Sequence, residues 1–233
     1  VPNVVAWTTL IDAYTQHGLG KEAIECFKKM QNEGVNPNVV TYICVLKACG
    51  IARCVEVGEI IDVMVRNQGV FHTDVSLGNT MVDMYMKCGK FEKARNLFDE
   101  LPMRDVVSWN ALIAGYVDHR LGKEALECFK EMKDEGVCPT GVTYSCVLKA
   151  CGITQCIDIG ECIEADVRKQ GLLKKDIVLG NALIDMYAKC GVLAKAQEVL
   201  EGLHVRDTVS WSALIAGYAE KGHCNEALKC FEQ

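Results

Sequence analysis

A 102-residue period governs this chain. TYICVLKACGIARC, from Thr41 to Cys54, returns as TYSCVLKACGITQC, from Thr143 to Cys156. LGNTMVDMYMKCG, from Leu77 to Gly89, returns as LGNALIDMYAKCG, from Leu179 to Gly191, and Trp7, Trp109 and Trp211 keep the same spacing. Self-similarity of this kind marks stacked copies of one supersecondary element, each too small to bury its apolar face alone. The long period divides further. Fresh repeats open at Val4, Val39, Val75, Val106, Gly141, Ile177 and Thr208, at spacings of 35, 36, 31, 35, 36 and 31 residues. The expected organisation is a single array, with repeats 1 to 6 at 4–38, 39–74, 75–105, 106–140, 141–176 and 177–207, and a partial repeat 7 at 208–233.

Each repeat reads as two helices. In repeat 4, Trp109, Leu112, Ile113 and Tyr116 fall at i, i+3, i+4 and i+7, and Ala125, Cys128, Phe129 and Met132 do the same. These are two apolar stripes of helical period. His119 to Gly122 supplies the turn between them, Gly136 stops the second helix, and Pro139 lies beyond. Repeat 1 copies the pattern with Trp7, Leu10, Ile11 and Tyr14, then Ala23, Cys26, Phe27 and Met30. No sustained alternation bounded by hairpin turns competes. The expected fold is all-α, an α-α superhelix (solenoid) of stacked helix-turn-helix repeats with an extended concave surface. Gly115 and Gly217, inside first helices, are expected where helices approach closely.

No run of about 18 apolar residues exists, so no membrane span is expected. The chain opens on Val1 and ends at Gln233 inside a helical pattern, and is read as a segment whose targeting sequence lies outside it. Fourteen cysteines without a CxxC pair do not form a zinc-ribbon or redox spacing. Beside bulky residues, as at Cys26-Phe27, Cys128-Phe129 and Cys230-Phe231, they read as reduced core thiols, with a metal cluster as the alternative.

The segment VVSWNALIAGY, followed by GKEALECFKEM and GVCP, from Val106 to Pro139, resembles the plant pentatricopeptide repeat (PPR) family. The 35/36/31 alternation resembles its PLS subclass, with repeats 1, 4 and 7 of P type, 2 and 5 of L type, and 3 and 6 of S type. The resemblance covers essentially the whole chain. It implies a single-stranded RNA partner read one base per repeat, as helical-repeat proteins read splayed bases. It further implies that the fifth residue and the closing residue of each repeat share the reading.

On that resemblance the base-reading residues are Thr8 with Asn38, Ile43 with Asp74, Asn79 with Asp105, Asn110 with Thr140, Ser145 with Asp176, Asn181 with Asp207, and Ser212. The family code then gives, 5′ to 3′, A-N-Y-C/U-N-Y-R, with Y leaning to U; the L-type pairs are discounted because such repeats follow the code poorly. The second residues Val5, Val40, Val107, Val142, Val178 and Val209 are implied to clamp bases, with Ser76 departing from the pattern. Lys87 and Lys189 are candidate phosphate contacts, where the P-type repeats carry Gln16, Asp118 and Glu220. Each assignment has a plainer counterpart: core packing for the valines, solvated surface for the lysines, and helix N-caps for Asp74, Asp105, Asp176 and Asp207.

The net charge of −6 runs against a nucleic-acid binder unless acids such as Glu22, Glu25, Glu124, Glu127 and Glu131 occupy the convex face. No zinc-deaminase signature, Walker loop or GxGxxG is present, and the histidines are scattered, so no catalytic residue, metal or cofactor is expected. The subclass resemblance implies the specificity part of an organellar C-to-U RNA editing factor, in mitochondrion or chloroplast. A deaminase-like DYW domain would then follow the array, and multiple organellar editing factor proteins would dock on repeats 2 and 5. The competing reading is a protein-interaction scaffold that takes a peptide in the same groove.

Overall fold

The computed structural model describes residues 3–232. Fourteen α-helices lie among them, in pairs joined by short turns, and no strand. Repeat 1 holds α1 (Val4–Gln16) and α2 (Gly20–Asn32), repeat 2 α3 (Val39–Ala52) and α4 (Val55–Asn67), and repeat 3 α5 (Val75–Lys87) and α6 (Phe91–Asp99). Repeat 4 holds α7 (Val106–Asp118) and α8 (Gly122–Asp134), and repeat 5 α9 (Gly141–Thr154) and α10 (Ile157–Lys169), followed by a 3-10 turn at Leu172–Lys174. Repeat 6 holds α11 (Ile177–Lys189) and α12 (Leu193–Gly202), and repeat 7 α13 (Thr208–Glu220) and α14 (Cys224–Phe231). The fold is an all-α solenoid of helical hairpins.

Local chemistry sets the helix starts. Asn3, Asn38, Asp74, Asp176 and Asp207 each accept a hydrogen bond from the backbone two or three residues into the helix that follows, and Asn38, Thr140 and Asp207 form reciprocal capping boxes. Each such cap stabilises its helix by about 1 kcal/mol. The fifteenth residue of every repeat turns the chain between its helices with a left-handed backbone: Gly18, Gly89, Gly191 and Gly222 in four repeats, Arg53, Arg120 and Gln155 in the other three.

The chain divides into two compact halves, Val1–Gly115 and Tyr116–Gln233, with the division inside α7. Within each half the same layering holds. First helices pack on first helices: α1 on α3 and α3 on α5 in the first half, α9 on α11 and α11 on α13 in the second. Second helices pack on the first helices of their own and the following repeat rather than on one another. A helix enclosed on several sides must be apolar nearly all round. That is why α3 and α11 each bury eight residues, whereas α4 buries four and α10 three. Long charged side chains span the splayed second helices, Lys93 to Glu59 and Lys195 to Glu161, with Glu22, Glu25, Glu124 and Glu127 exposed on the same layer.

Gly115 and Gly217 sit where close approach was expected. A Cβ at Gly115 would lie 2.5 Å from the Met86 side chain, and one at Gly217 2.5 Å from Ala188 Cβ. The cysteines only partly fit a core role. Cys26, Cys44, Cys49, Cys128 and Cys151 are buried, while Cys138, Cys162 and Cys224 are exposed; all fourteen are free thiols. Burial pushes the Cys49 and Cys151 thiols up to about 12, which keeps them protonated. Phe231 departs from its expected packing: it is 79% exposed, whereas Phe27 and Phe129 are covered at 2% and 6%.

Candidate nucleic-acid interface

The first turn of each first helix carries the candidate site. Val5, Val40, Val107, Val142, Val178 and Val209 are all between 56% and 64% exposed, so they are not core residues. Ser76, at the same position in repeat 3, is exposed too. Residues three apart on a helix share a face. The second and fifth residues of a repeat therefore stand one above the other: a valine beside a polar side chain in repeats 1, 4, 5, 6 and 7, Val40 beside Ile43 in repeat 2, and Ser76 beside the buried Asn79 in repeat 3.

The closing residues do double duty. Asp74 accepts from Leu77 N at 2.9 Å, Asp105 from Ser108 N at 2.9 Å, Asp176 from Leu179 N at 3.2 Å and Asp207 from Ser210 N at 2.8 Å. The plain capping role is therefore real. In repeats 3 and 6 the same carboxylates also hold the fifth residue of their own repeat. Asn79 Nδ2 donates to Asp105 Oδ1 at 3.1 Å, and Asn181 Nδ2 donates to Asp207 Oδ1 at 3.1 Å. Hydrogen bonds from the backbone and side chain of Ser210 hold the Asp207 carboxyl below its usual range; burial opposes them, and the Asn181 amide and the Val209 backbone add smaller lowering effects.

The other pairs differ. Thr8 reaches Asn38 only through Thr41: Thr8 and Thr41 hydroxyls lie 2.7 Å apart, and Thr41 Oγ1 donates to Asn38 Oδ1 at 2.9 Å. Ile43 and Ser145 are half-buried, and neither is hydrogen-bonded through its side chain to Asp74 or Asp176 among the described residues. Asn110 is half-buried in the first half, Thr140 is exposed in the second, and Ser212 is exposed. Lys87 and Lys189 are exposed but already paired, with Asp83 at 2.8 Å and Asp185 at 2.7 Å. In the second half Lys189 shares a surface groove with Arg120, Lys149 and Lys221, and also with Asp118, Asp185 and Glu220. That groove is mixed in charge rather than basic.

A further set of residues lies beyond the sequence assignment. Thr41, Ser108, Thr143 and Ser210, each the third residue of its repeat, are fully buried polar side chains. The signal was in the sequence: a hydroxyl residue opens TYICV, SWNAL, TYSCV and SWSAL, where repeats 3 and 6 carry Leu77 and Leu179. Among the described residues no cluster of three potential metal ligands forms, and no helix is long and apolar enough to cross a membrane.

Two-helix repeats of 31 to 36 residues, stacked first helix on first helix, define a helical-hairpin repeat protein. Comparison with known proteins gives the family. The PPR repeat family model matches residues 2–50 and 104–152, and the PPR repeat model matches 79–106, 181–207 and 209–233. The chain belongs to the pentatricopeptide repeat family. A chloroplastic pentatricopeptide repeat-containing protein of Arabidopsis thaliana is 39% identical over 97% of this chain and 36% of its own length. A mitochondrial one from the same plant is 34% identical over 99% of this chain and 36% of its own length. The chain thus spans little more than a third of these relatives. Among solved structures, the pentatricopeptide repeat protein PPR10 in complex with an 18-nucleotide psaJ RNA element superposes with a TM-score of 0.77 at 22% identity, over 99% of this chain and 34% of that one. The pentatricopeptide repeat protein PPR10 from maize gives a TM-score of 0.70 at 21% identity, over 99% of this chain and 33% of that one. Both establish the likeness of fold.

Proposed function

We propose that this segment binds single-stranded RNA in a sequence-specific manner, one base per repeat, as the specificity part of an organellar C-to-U RNA editing factor of the PLS subclass. One observation carries the reading. Asn79 with Asp105 and Asn181 with Asp207 repeat the same hydrogen-bonded polar pair, each on a helix turn whose second residue is exposed. In repeat 6 the Asn181 amide offers a donor and an acceptor to a pyrimidine edge, and the exposed Val178 offers an apolar surface to its face; in repeat 3 Asn79 is buried and Ser76 stands in the valine's place. The RNA-bound state of the similar PPR10 and the organellar names of the relatives support the same direction. The 35/36/31 alternation supports the P, L and S assignment. On this reading the chemistry is done elsewhere, by a DYW-type domain in the whole protein, and multiple organellar editing factor proteins dock on repeats 2 and 5.

The test is a gel shift of the chain with an RNA of register A-N-U-C-N-U-G against a scrambled one. In the double variant Asn181→Thr, Asp207→Asn, preference opposite repeat 6 shifts from uracil toward adenine. Sequence-blind binding would sink the reading. The net charge of −6 and the neutralised Lys87 and Lys189 favour a second one, a scaffold that takes a peptide in the groove. Absence of RNA binding at moderate salt selects it.

A further inference from the structure

We infer that the base-reading element is a triad rather than a pair, and that its third member is the buried hydroxyl at the third residue of the following repeat. This rests on the RNA reading above and adds a positioning residue to it.

In repeat 6 the three side chains close on one another. Asn181 Nδ2 donates to Asp207 Oδ1 at 3.1 Å, and Ser210 Oγ donates to Asn181 Oδ1 at 2.5 Å. Ser210 Oγ also lies 2.9 Å from Asp207 Oδ1, so its proton is shared between the two acceptors, with the shorter contact to Asn181. The amide is thereby held from both ends. Reversing it would set its oxygen against the Asp207 carboxylate. One amide proton and one oxygen lone pair stay free, in a fixed order.

That order matters for a pyrimidine. Uracil presents an N3 donor beside carbonyl acceptors; cytosine presents an N3 acceptor beside an N4 amino donor. A reading amide free to turn over could satisfy either base, and a locked one discriminates.

Repeat 1 shows the same coupling, and repeat 3 shows what its absence leaves. In repeat 1 the reading residue Thr8 bonds Thr41, the same position, at 2.7 Å, so the hydroxyl couples fifth and closing residues even where they do not touch. In repeat 3 the Ser108 hydroxyl lies 2.8 Å from the Asp105 carbonyl, and Asn79 Oδ1 is left buried with no partner. A buried amide oxygen without a donor costs about 1–3 kcal/mol. It is the acceptor that the triad would fill. Repeats 2 and 5 have no hydroxyl to offer, since Leu77 and Leu179 stand at that place, fully buried. In these repeats no side-chain hydrogen bond links the fifth and closing residues, directly or through a third residue, among the described residues.

The test uses the chain with RNAs that vary only in the base opposite repeat 6. Ser210→Ala keeps the backbone N–H that Asp207 caps, so folding is retained and checked by thermal unfolding. Its uracil-over-cytosine ratio falls roughly fivefold, the scale of one hydrogen bond. Ser210→Thr, the residue type already accommodated as Thr41 and Thr143, restores the ratio. In repeat 1, Thr41→Val lowers adenine preference by a similar factor. An unchanged ratio in Ser210→Ala, or a uniform loss of affinity for every base, overturns the triad. If the unaltered chain shows no uracil preference, or the Asn181→Thr, Asp207→Asn pair moves nothing, the RNA reading itself has failed. The two failures are thus separable.

Discussion

Repeats 3 and 6, each with the serine that opens the next repeat, present the same three residues, Asn-Asp-Ser, in two different states. Asn79 is 6% exposed and leaves its oxygen without a donor; Asn181 is more open and has both ends of its amide engaged. The closing bond is alike at 3.1 Å in each. What differs is where the serine hydroxyl points, toward the Asp105 carbonyl in one and the Asn181 oxygen in the other. A repeat array copies its backbone faithfully, and a single hydroxyl rotor then decides whether the fifth-residue amide is satisfied.

The largest expected contrast between counterparts is in packing. Trp109 is fully buried, its ring meeting Phe98 edge-on at 4.6 Å, whereas Trp211, one period later, is half-buried and has Leu200 where Phe98 stood. Trp109→Ala should destabilise by about 3–5 kcal/mol. Trp211→Ala should cost clearly less in the same urea titration. Equal losses would show that the two environments are alike despite their difference in burial.

The next contrast bears directly on the polar trios. Asn79→Leu removes an orphaned buried oxygen at the loss of one hydrogen bond, while Asp105 keeps the N–H groups of Val107 and Ser108. Stability should stay level or rise. Asn181→Leu strips partners from both Asp207 and Ser210 and should destabilise by about 1–2 kcal/mol. Both variants should lose pyrimidine preference at their own position. A matched drop in stability would erase the distinction between the two trios.

Much of this architecture was legible in the chain. Helical period and the 102-residue recurrence fix the hairpins, because a stripe at i, i+3, i+4 and i+7 has one helical solution. The first helices start at Val4, Val39, Val75, Val106, Gly141, Ile177 and Thr208, the residues that open each repeat. The reading pairs came from resemblance, and only Asn79 with Asp105 and Asn181 with Asp207 meet directly. Thr41, Ser108 and Ser210 escaped notice because a hydroxyl early in a helix has an ordinary explanation as a local cap. Only coordinates show that Thr41 and Ser210 bond residues 33 and 29 positions earlier. The pairing of Lys87 with Asp83 and of Lys189 with Asp185 was readable from i, i+4 spacing, and it weakens both as free phosphate contacts.

A smaller contrast lies at the fifteenth residue. Arg120 holds a left-handed backbone at φ 59°, where repeats 1, 3, 6 and 7 use glycine. A side chain there is strained by about 1 kcal/mol. Arg120→Gly should therefore stabilise by up to about 1 kcal/mol, and Gly18→Ala, in open space at φ 74°, should cost a similar amount. Thermal unfolding of the two variants checks the sign.

The smallest expected effect is one of pH and isolates the Asp207 carboxylate. Its partners, Ser210 first, lower its pKa in the folded chain. A depressed folded value contributes stability at pH above the unfolded value, near 3.9 for an ordinary aspartate, and that contribution is lost as pH falls through the folded value. The carboxylate sits at the surface, so solvent screens the effect and it stays modest. The difference in melting temperature between the unaltered chain and Asp207→Asn should be constant from neutral pH to about pH 5, and shrink below about pH 4. Ser210→Ala should narrow it across the whole range, since it removes the side-chain part of that lowering and leaves the backbone part. A difference that grows on acidification would mean that Asp207 is held by burial rather than by its donors, and the trio of repeat 6 would lose its electrostatic basis.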